Sequence, residues 1–157
     1  MDLHYRRAEK SDAERLVELY NQAFEADYLR YGECNAYGRS REQMEESIER
    51  YPKEIIVLGD EPVGVISAQA QGNGAYFVGC LCVIPAYQGR GIGTQAMRHL
   101  EDSLPDWTRI ELCTPADKAE NVAFYTKKCG FRAGDTHLDG HVTLVQLTKE
   151  RTKETRR

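Results

Sequence analysis

An almost unbroken apolar run, Tyr76–Val83, gives way to an amphipathic helix, and the join between them is Gln88-Gly89-Arg90-Gly91-Ile92-Gly93. Such a run suits a central strand covered on both faces. Met97, Leu100 and Leu104 then recur at helical spacing from about Thr94,. Where a strand becomes a helix, unpaired amides and the helix dipole together favour an anion. Glycines at 89, 91 and 93 let the backbone approach a pyrophosphate closely and take positive φ where needed,. One glycine would read as a plain turn, but three at such a junction point to a phosphate ligand. A Walker A loop is excluded, because no Gly-Lys-Ser/Thr closes the segment,. A dinucleotide site stays open: Gly91-x-Gly93-x-x-Ala96 fits the degenerate fingerprint, with Glu111 at a distance suited to a ribose,. That fingerprint should open a βαβ unit, whereas this loop follows a three-strand meander.

The 157 residues predict one domain over 1–148 and a charged, disordered tail over 149–157,. Hydrophobic residues at 41% and charged ones at 29% suit a soluble globular chain,. No apolar run approaches the roughly 20 residues that cross a bilayer, and the polar start Met1–Lys10 predicts no signal peptide,. A net charge of −4 argues against general nucleic-acid affinity,. Five cysteines without a Cys-x-x-Cys pair predict reduced thiols and a cytoplasmic protein,. Cys80 and Cys82 share one face of a strand and are expected to pack as small apolar side chains, inessential to chemistry. The four histidines show no metal spacing, so no metal is expected,.

The periodicity predicts strand Leu3–Arg7, then a helix opened by the capping box Ser11-Asp12-Ala13-Glu14 and running to about Ala26. Residues 27–39, with Tyr28, Tyr31 and Tyr37, read as a loop. Ser40-Arg41-Glu42-Gln43 is a second box, starting a helix that Pro52 ends. Strands follow at Glu54–Leu58, Val63–Gln69 and Tyr76–Val83, with a further strand at Trp107–Cys113 after the glycine loop and its helix. A short helix, Glu120–Lys128, is closed by Gly130. Asp139-Gly140 then turns the hairpin Phe131–His137 and His141–Thr148. The class is α/β (α+β): a mixed central sheet flanked by helices in the order β-α-α-β-β-β-α-β-α-β-β.

Gln88-x-x-Gly91-x-Gly93, preceded by Leu81-x-Val83-x-Pro85, resembles the pyrophosphate motif of the GNAT acetyltransferases. Glu120-Asn-Val-Ala-Phe-Tyr125-Thr-Lys-Lys-Cys-Gly-Phe131 resembles that family's next segment, and element order agrees over roughly residues 3 to 148. The resemblance implies acetyl-CoA as co-substrate. The amides of Gly89, Arg90, Gly91, Ile92, Gly93 and Thr94 would cradle its pyrophosphate, with Gln88 shaping the loop. Backbone groups of Leu81, Cys82 and Val83, on a strand splayed from residues 109–114, would bond the pantetheine and polarise the thioester. Phe124 and Lys128 would add cofactor contacts. In much of the family an Asn lies at the place held here by Lys118; Asn121 matches a variant pattern. Tyr125 would project toward the CoA sulfur as the acid for the departing thiolate.

An amine with a pKa near 10 must lose a proton before it attacks. No carboxylate stands in Ala75–Val83 to take it; Glu111, Glu25, Asp27 and Glu33 are the remaining candidates. The resemblance places the acceptor, a small-molecule or peptide amine, near Phe24, Tyr28, Tyr31 and Glu111. It expects direct attack in a ternary complex, no membrane or nucleic-acid partner, and leaves room for a homodimer. Two rivals stay open: a non-catalytic acyl-CoA-binding module, and a small nicotinamide- or flavin-binding protein.

Overall fold

The structure is a computed structural model that describes residues 1–151. The tail expected to be disordered lies mostly outside them, but its first residues do not: the last strand continues to Glu150 instead of ending at Thr148. Seven strands form one mixed sheet, flanked by helices, in the order β1-β2-β3-β4-β5-β7-β6. The chain divides into two compact units, Met1–Ala68 with Gly79–Ala96, and Gln69–Val78 with the described residues from Met97 onward.

The first unit holds β1 (Leu3–Arg7), α1 (Ala13–Tyr31), α2 (Arg41–Arg50) and β2 (Lys53–Leu58). It also holds most of β3 (Glu61–Gly72), the end of β4 (Ala75–Val83) and the start of α3 (Ile92–Ser103). Its core is an apolar cluster in which Leu16, Leu19 and Tyr20 of α1 meet Met44 and Ile48 of α2, with Ile55, Val57, Val65, Cys82 and Ile84 beneath. β1 and β2 pair antiparallel, as do β2 and β3, whose register slips where Pro62 stands opposite Val57. Proline lacks a ladder donor, so a bulge is where it belongs.

Two local expectations change. A single turn of 3₁₀ helix, Lys10–Asp12, precedes α1, and the capping box is made by Glu9 and Asp12, not by Ser11 and Glu14. The Asp12 carboxylate accepts the Glu9 amide at 2.7 Å and two Arg6 guanidinium bonds at 3.0 and 2.9 Å. Those charge-assisted bonds outcompete a serine hydroxyl. α1 then runs to Tyr31, so Tyr28 and Tyr31 are helical and the loop is shorter than expected. No breaker occurs before Gly32, which stops the helix with φ +74° and donates its N–H to the Tyr28 carbonyl at 2.8 Å,. The apolar stripe had lapsed by then: Leu29 in the final turns is 72% exposed. The second capping box forms as read, with Ser40 and Gln43 exchanging bonds of 3.1 and 2.8 Å.

The second unit contains the start of β4, β5 (Arg109–Pro115), α4 (Ala119–Ala123), β6 (Arg132–Asp139) and β7 (Val142–Glu150). β4 and β5 pair in parallel only from Ala75↔Arg109 to Phe77↔Glu111. β7 inserts between β5 and β6, antiparallel to both. α4 passes into a wider π-type turn, Phe124–Lys128, and Gly130 closes it with φ +81°. β5 begins two residues later than the apolar pattern suggests, because the Trp107 amide still bonds the Leu104 carbonyl at 3.0 Å.

Candidate active site

The glycine loop follows β4 through one 3₁₀ turn, Pro85–Tyr87. Gln88 braces it, its side-chain amide donating to the Val83 carbonyl at 2.8 Å. Arg90 folds back over the Tyr87 ring at 5.0 Å and donates to the Ala86 carbonyl at 3.4 Å. Gly89 and Gly91 are left-handed, with φ of +77° and +83°, and a Cβ on either would meet nothing within 4 Å. The first bond of α3 runs from the Gln95 amide to the Gly91 carbonyl, 3.1 Å. The amides of Ile92, Gly93 and Thr94 therefore have no acceptor within the helix. No carboxylate occurs from Val83 to Thr94. Amides without a helix acceptor, open space at two glycines and no acid within the segment together fit a pyrophosphate,.

On β4, the ladder to β5 stops at Phe77, ahead of Leu81, Cys82 and Val83. That ladder joins residues 109–111 of β5 to Ala75–Phe77 and does not extend to Leu81–Val83.

In the second unit, Tyr125 is 7% exposed, its ring held edge-on by Phe124 at 5.0 Å and by Phe131 at 5.7 Å. Asn121 donates through its side-chain amide to the buried Thr114 hydroxyl at 3.2 Å. Lys128 is exposed and Phe124 half-buried. Glu111 is already engaged, paired with Arg109 and accepting from the Gln146 amide at 3.0 Å.

Among the acceptor candidates, Phe24 packs on Tyr20 at 5.9 Å, and Tyr28 stacks on Tyr37 at 4.5 Å. Tyr31 lies 5.2 Å from the Arg30 guanidinium. A cavity of about 360 Å³ opens in the α1–α2 connection, walled by Cys34, Asn35, Tyr37, Gly38, Arg39 and Gln43. Those walls come from the connection and from Gln43 in the first turn of α2, and Phe24, Tyr28 and Tyr31 contribute none of them. Residues 81–94 with Phe24, Tyr28 and Tyr31 belong to the first unit; Glu111, Asn121, Phe124, Tyr125 and Lys128 belong to the second.

The profile of the acetyltransferase (GNAT) family matches residues 13–131. The chain belongs to the GNAT family. An acetyltransferase of Thermus thermophilus shares its fold, with a TM-score of 0.79 over 96% of this chain and 97% of that one at 20% identity. The PaiA N-acetyltransferase of Thermoplasma acidophilum, solved in complex with coenzyme A, superposes with a TM-score of 0.76 over 93% and 98% at 19% identity. In sequence, the uncharacterised YrkN of Bacillus subtilis is 36% identical over 59 residues, 38% of this chain and only 32% of that protein.

Among the described residues of this GNAT chain, no group of His, Cys, Asp or Glu is placed to hold a metal, and no helix is long and apolar enough to cross a membrane. The five cysteines are unbridged. Two charged residues escape a reading by pattern alone. Lys53 is 5% exposed, and Arg39 both lines the cavity and covers the Tyr20 ring at 5.5 Å. Lys53 did carry a signal: it alternates with Ile55 and Val57, the inward residues of β2,.

Proposed function

We propose that this chain is an acetyl-CoA-dependent N-acetyltransferase that passes the acetyl group directly to a primary amine. The observation that carries the reading is the loop at the start of α3, with left-handed Gly89 and Gly91 in open space, amides that have no acceptor within the helix, and Gln88 bracing the turn,. Acetyl-CoA, when bound, supplies the acetyl group already activated as a thioester. The amides of Gly89 to Thr94 would hold its pyrophosphate, Arg90 adding positive charge nearby. Backbone N–H groups of Leu81 to Val83 would face the oxygen on which charge builds, the largest single source of stabilisation in acyl transfer. Tyr125, held between two phenylalanine rings, would give up its hydroxyl proton to the departing sulfur. The acceptor would enter at the α1–α2 connection, whose cavity is lined by polar groups.

Two measurements test this. Calorimetry should show acetyl-CoA binding, with NADH inert, and Gly91→Asp should abolish binding. That change puts a carboxylate where the pyrophosphate lies and a side chain on a φ of +83°,. Unchanged affinity would remove the site. A thiol-release screen across amines then separates an enzyme from the second reading, a non-catalytic acyl-CoA-binding module, which the lack of a carboxylate in Ala75–Val83 favours.

A further inference from the structure

The cavity of about 360 Å³ in the α1–α2 connection carries charge of one sign only. Arg39 stands in its wall, and none of the other wall residues is an acid. Glu33 and Glu42 lie close by in the chain, yet neither enters the wall. The guanidinium of Arg39 is fixed by three contacts. Its Nε donates to the Asn35 carbonyl at 3.0 Å, Nη1 donates to the Ser47 hydroxyl at 3.4 Å, and the group lies 5.5 Å from the centre of the buried Tyr20 ring. Those bonds use two of its five N–H groups. No carboxylate pairs with it among the described residues, so three donors and a permanent charge are left for a ligand,.

Gln43 adds a donor, and the helix start decides which half of its amide stays free. Its Oε1 accepts the Ser40 N–H at 2.8 Å, completing the capping box. A backbone N–H only donates, so the oxygen must face Ser40 and the Nε2 amino group is what remains. A glutamate would close the same box but leave a carboxylate oxygen in the wall. α2 begins here too, and the positive end of its dipole adds to the same sign,. The cavity belongs to the unit that holds the end of β4. Ala36 of the connection and Tyr87, just ahead of the glycine loop, pack on one apolar cluster with Cys82 and Ile84.

We propose that the acceptor is a small amine bearing one carboxylate, which Arg39 and Gln43 hold in the cavity of the α1–α2 connection. The inference rests on the acetyl-transfer reading above and adds the substrate class to it. One cation and one neutral donor balance a single negative charge; a phosphate monoester, at about −1.5 to −2, would want a second cation. A polyamine or an aminoglycoside would set its own positive charges against Arg39. A volume of 360 Å³ stands at the small end of ligand pockets, about 300–1,000 Å³, and suits a molecule of amino-acid size,. In the transfer the acceptor ammonium loses one proton to water and its nitrogen bonds the acetyl carbon. The carbon–sulfur pair leaves with sulfur, which ends as the CoA thiol once the nitrogen has given up its second proton.

The test uses the intact protein and a thiol-release assay on paired amines: the common amino acids against their α-carboxamides, with spermidine, kanamycin and phosphoethanolamine as cationic and phosphate arms. At least one amino acid should be turned over with kcat/KM about 10-fold or more above its amide. In calorimetry on the CoA-saturated protein, that acid should bind and its amide should not at the same concentration. Arg39→Gln should raise KM for the acid by about 10–150-fold and remove its advantage over the amide, with acetyl-CoA affinity as the check on folding. Arg39→Lys should recover part of the loss. Gln43→Glu keeps the capping box and puts an acid in the wall, so it should raise the same KM, and it decides the matter if Arg39→Gln does not fold. An amide, spermidine or kanamycin turned over as well as the acid, phosphoethanolamine preferred to it, or acid and amide losing equally in these variants overturns the carboxylate assignment while acetyl transfer stands. If the parent binds acetyl-CoA but acetylates no amine of the panel, the transfer reading falls and the acceptor class falls with it.

Discussion

Gly64→Ala offers the most direct test of the packing beneath the proposed cofactor strand. A Cβ built on Gly64 lies 2.1 Å from the Cys82 carbonyl oxygen and 3.2 Å from the Val83 Cα, where real Cβ contacts essentially never fall under 3.0 Å. The φ of Gly64 is not in the left-handed region, so backbone strain does not confuse the result. The methyl must open the β3–β4 approach by the difference, 3.0 less 2.1, or 0.9 Å. The obstructing atoms are main chain, which cannot rotate away as a side chain would. Overpacking of this kind costs about 1–3 kcal/mol, and a backbone obstacle belongs at the upper end, about 3 kcal/mol. For a chain of this length that is a fall in Tm of about 6–12 °C. Gly134→Ala is the control: its nearest atom would be the Gln146 carbonyl oxygen at 3.5 Å, so it should stay within about 0.5 kcal/mol of the parent,. Scanning calorimetry on the three proteins decides the matter. A Gly64→Ala protein that melts with the control would refute the reasoning.

Tyr125→Phe should lower kcat by about 10²–10⁴-fold with acetyl-CoA affinity held, because the ring keeps its contacts with Phe124 and Phe131,. Full turnover in steady-state assays would make Tyr125 a packing residue only. The Arg6 hydrogen bonds hold the Asp12 carboxyl below the usual range. A carboxyl depressed in the folded state adds stability above its unfolded pKa and loses it as pH falls through the folded value. Parent Tm should therefore drop below about pH 4, and Asp12→Asn should flatten that limb while losing about 1 kcal/mol at neutral pH. An unchanged acid limb in thermal melts would show that Asp12 is not its source.

Much of this was readable from local pattern. The glycine loop, the Ser40–Gln43 box and the Asp139-Gly140 turn are each set by neighbours in the chain, and each sits where the residues place it. α1 was misjudged because its last turns carry no apolar stripe, and a helix persists without one until something stops it, here Gly32. Tyr125 and Phe131 meet although six residues apart, a spacing no regular helix brings together; the π-type turn does so,. The cluster against which Cys80 packs draws on α1, α2 and β2, and no single segment announces such a convergence. Lys53 was legible only to a reader willing to place a lysine on the inward side of a strand.

The last strands of the sheet carry a consequence for how copies of the protein behave at high concentration. β6 ends the sheet, every residue from Arg132 to Asp139 is exposed, and its register against β7 shifts between Ala133 and Thr136. A flat terminal strand with idle main-chain donors and acceptors is a template onto which another chain can stack. This one is broken by its irregularity and studded with Arg132, Asp135 and Asp139, so a copy stacked in parallel register would set like charges side by side,. The molecule thus carries its own guard against fibre growth at the point where its sheet would otherwise be extensible.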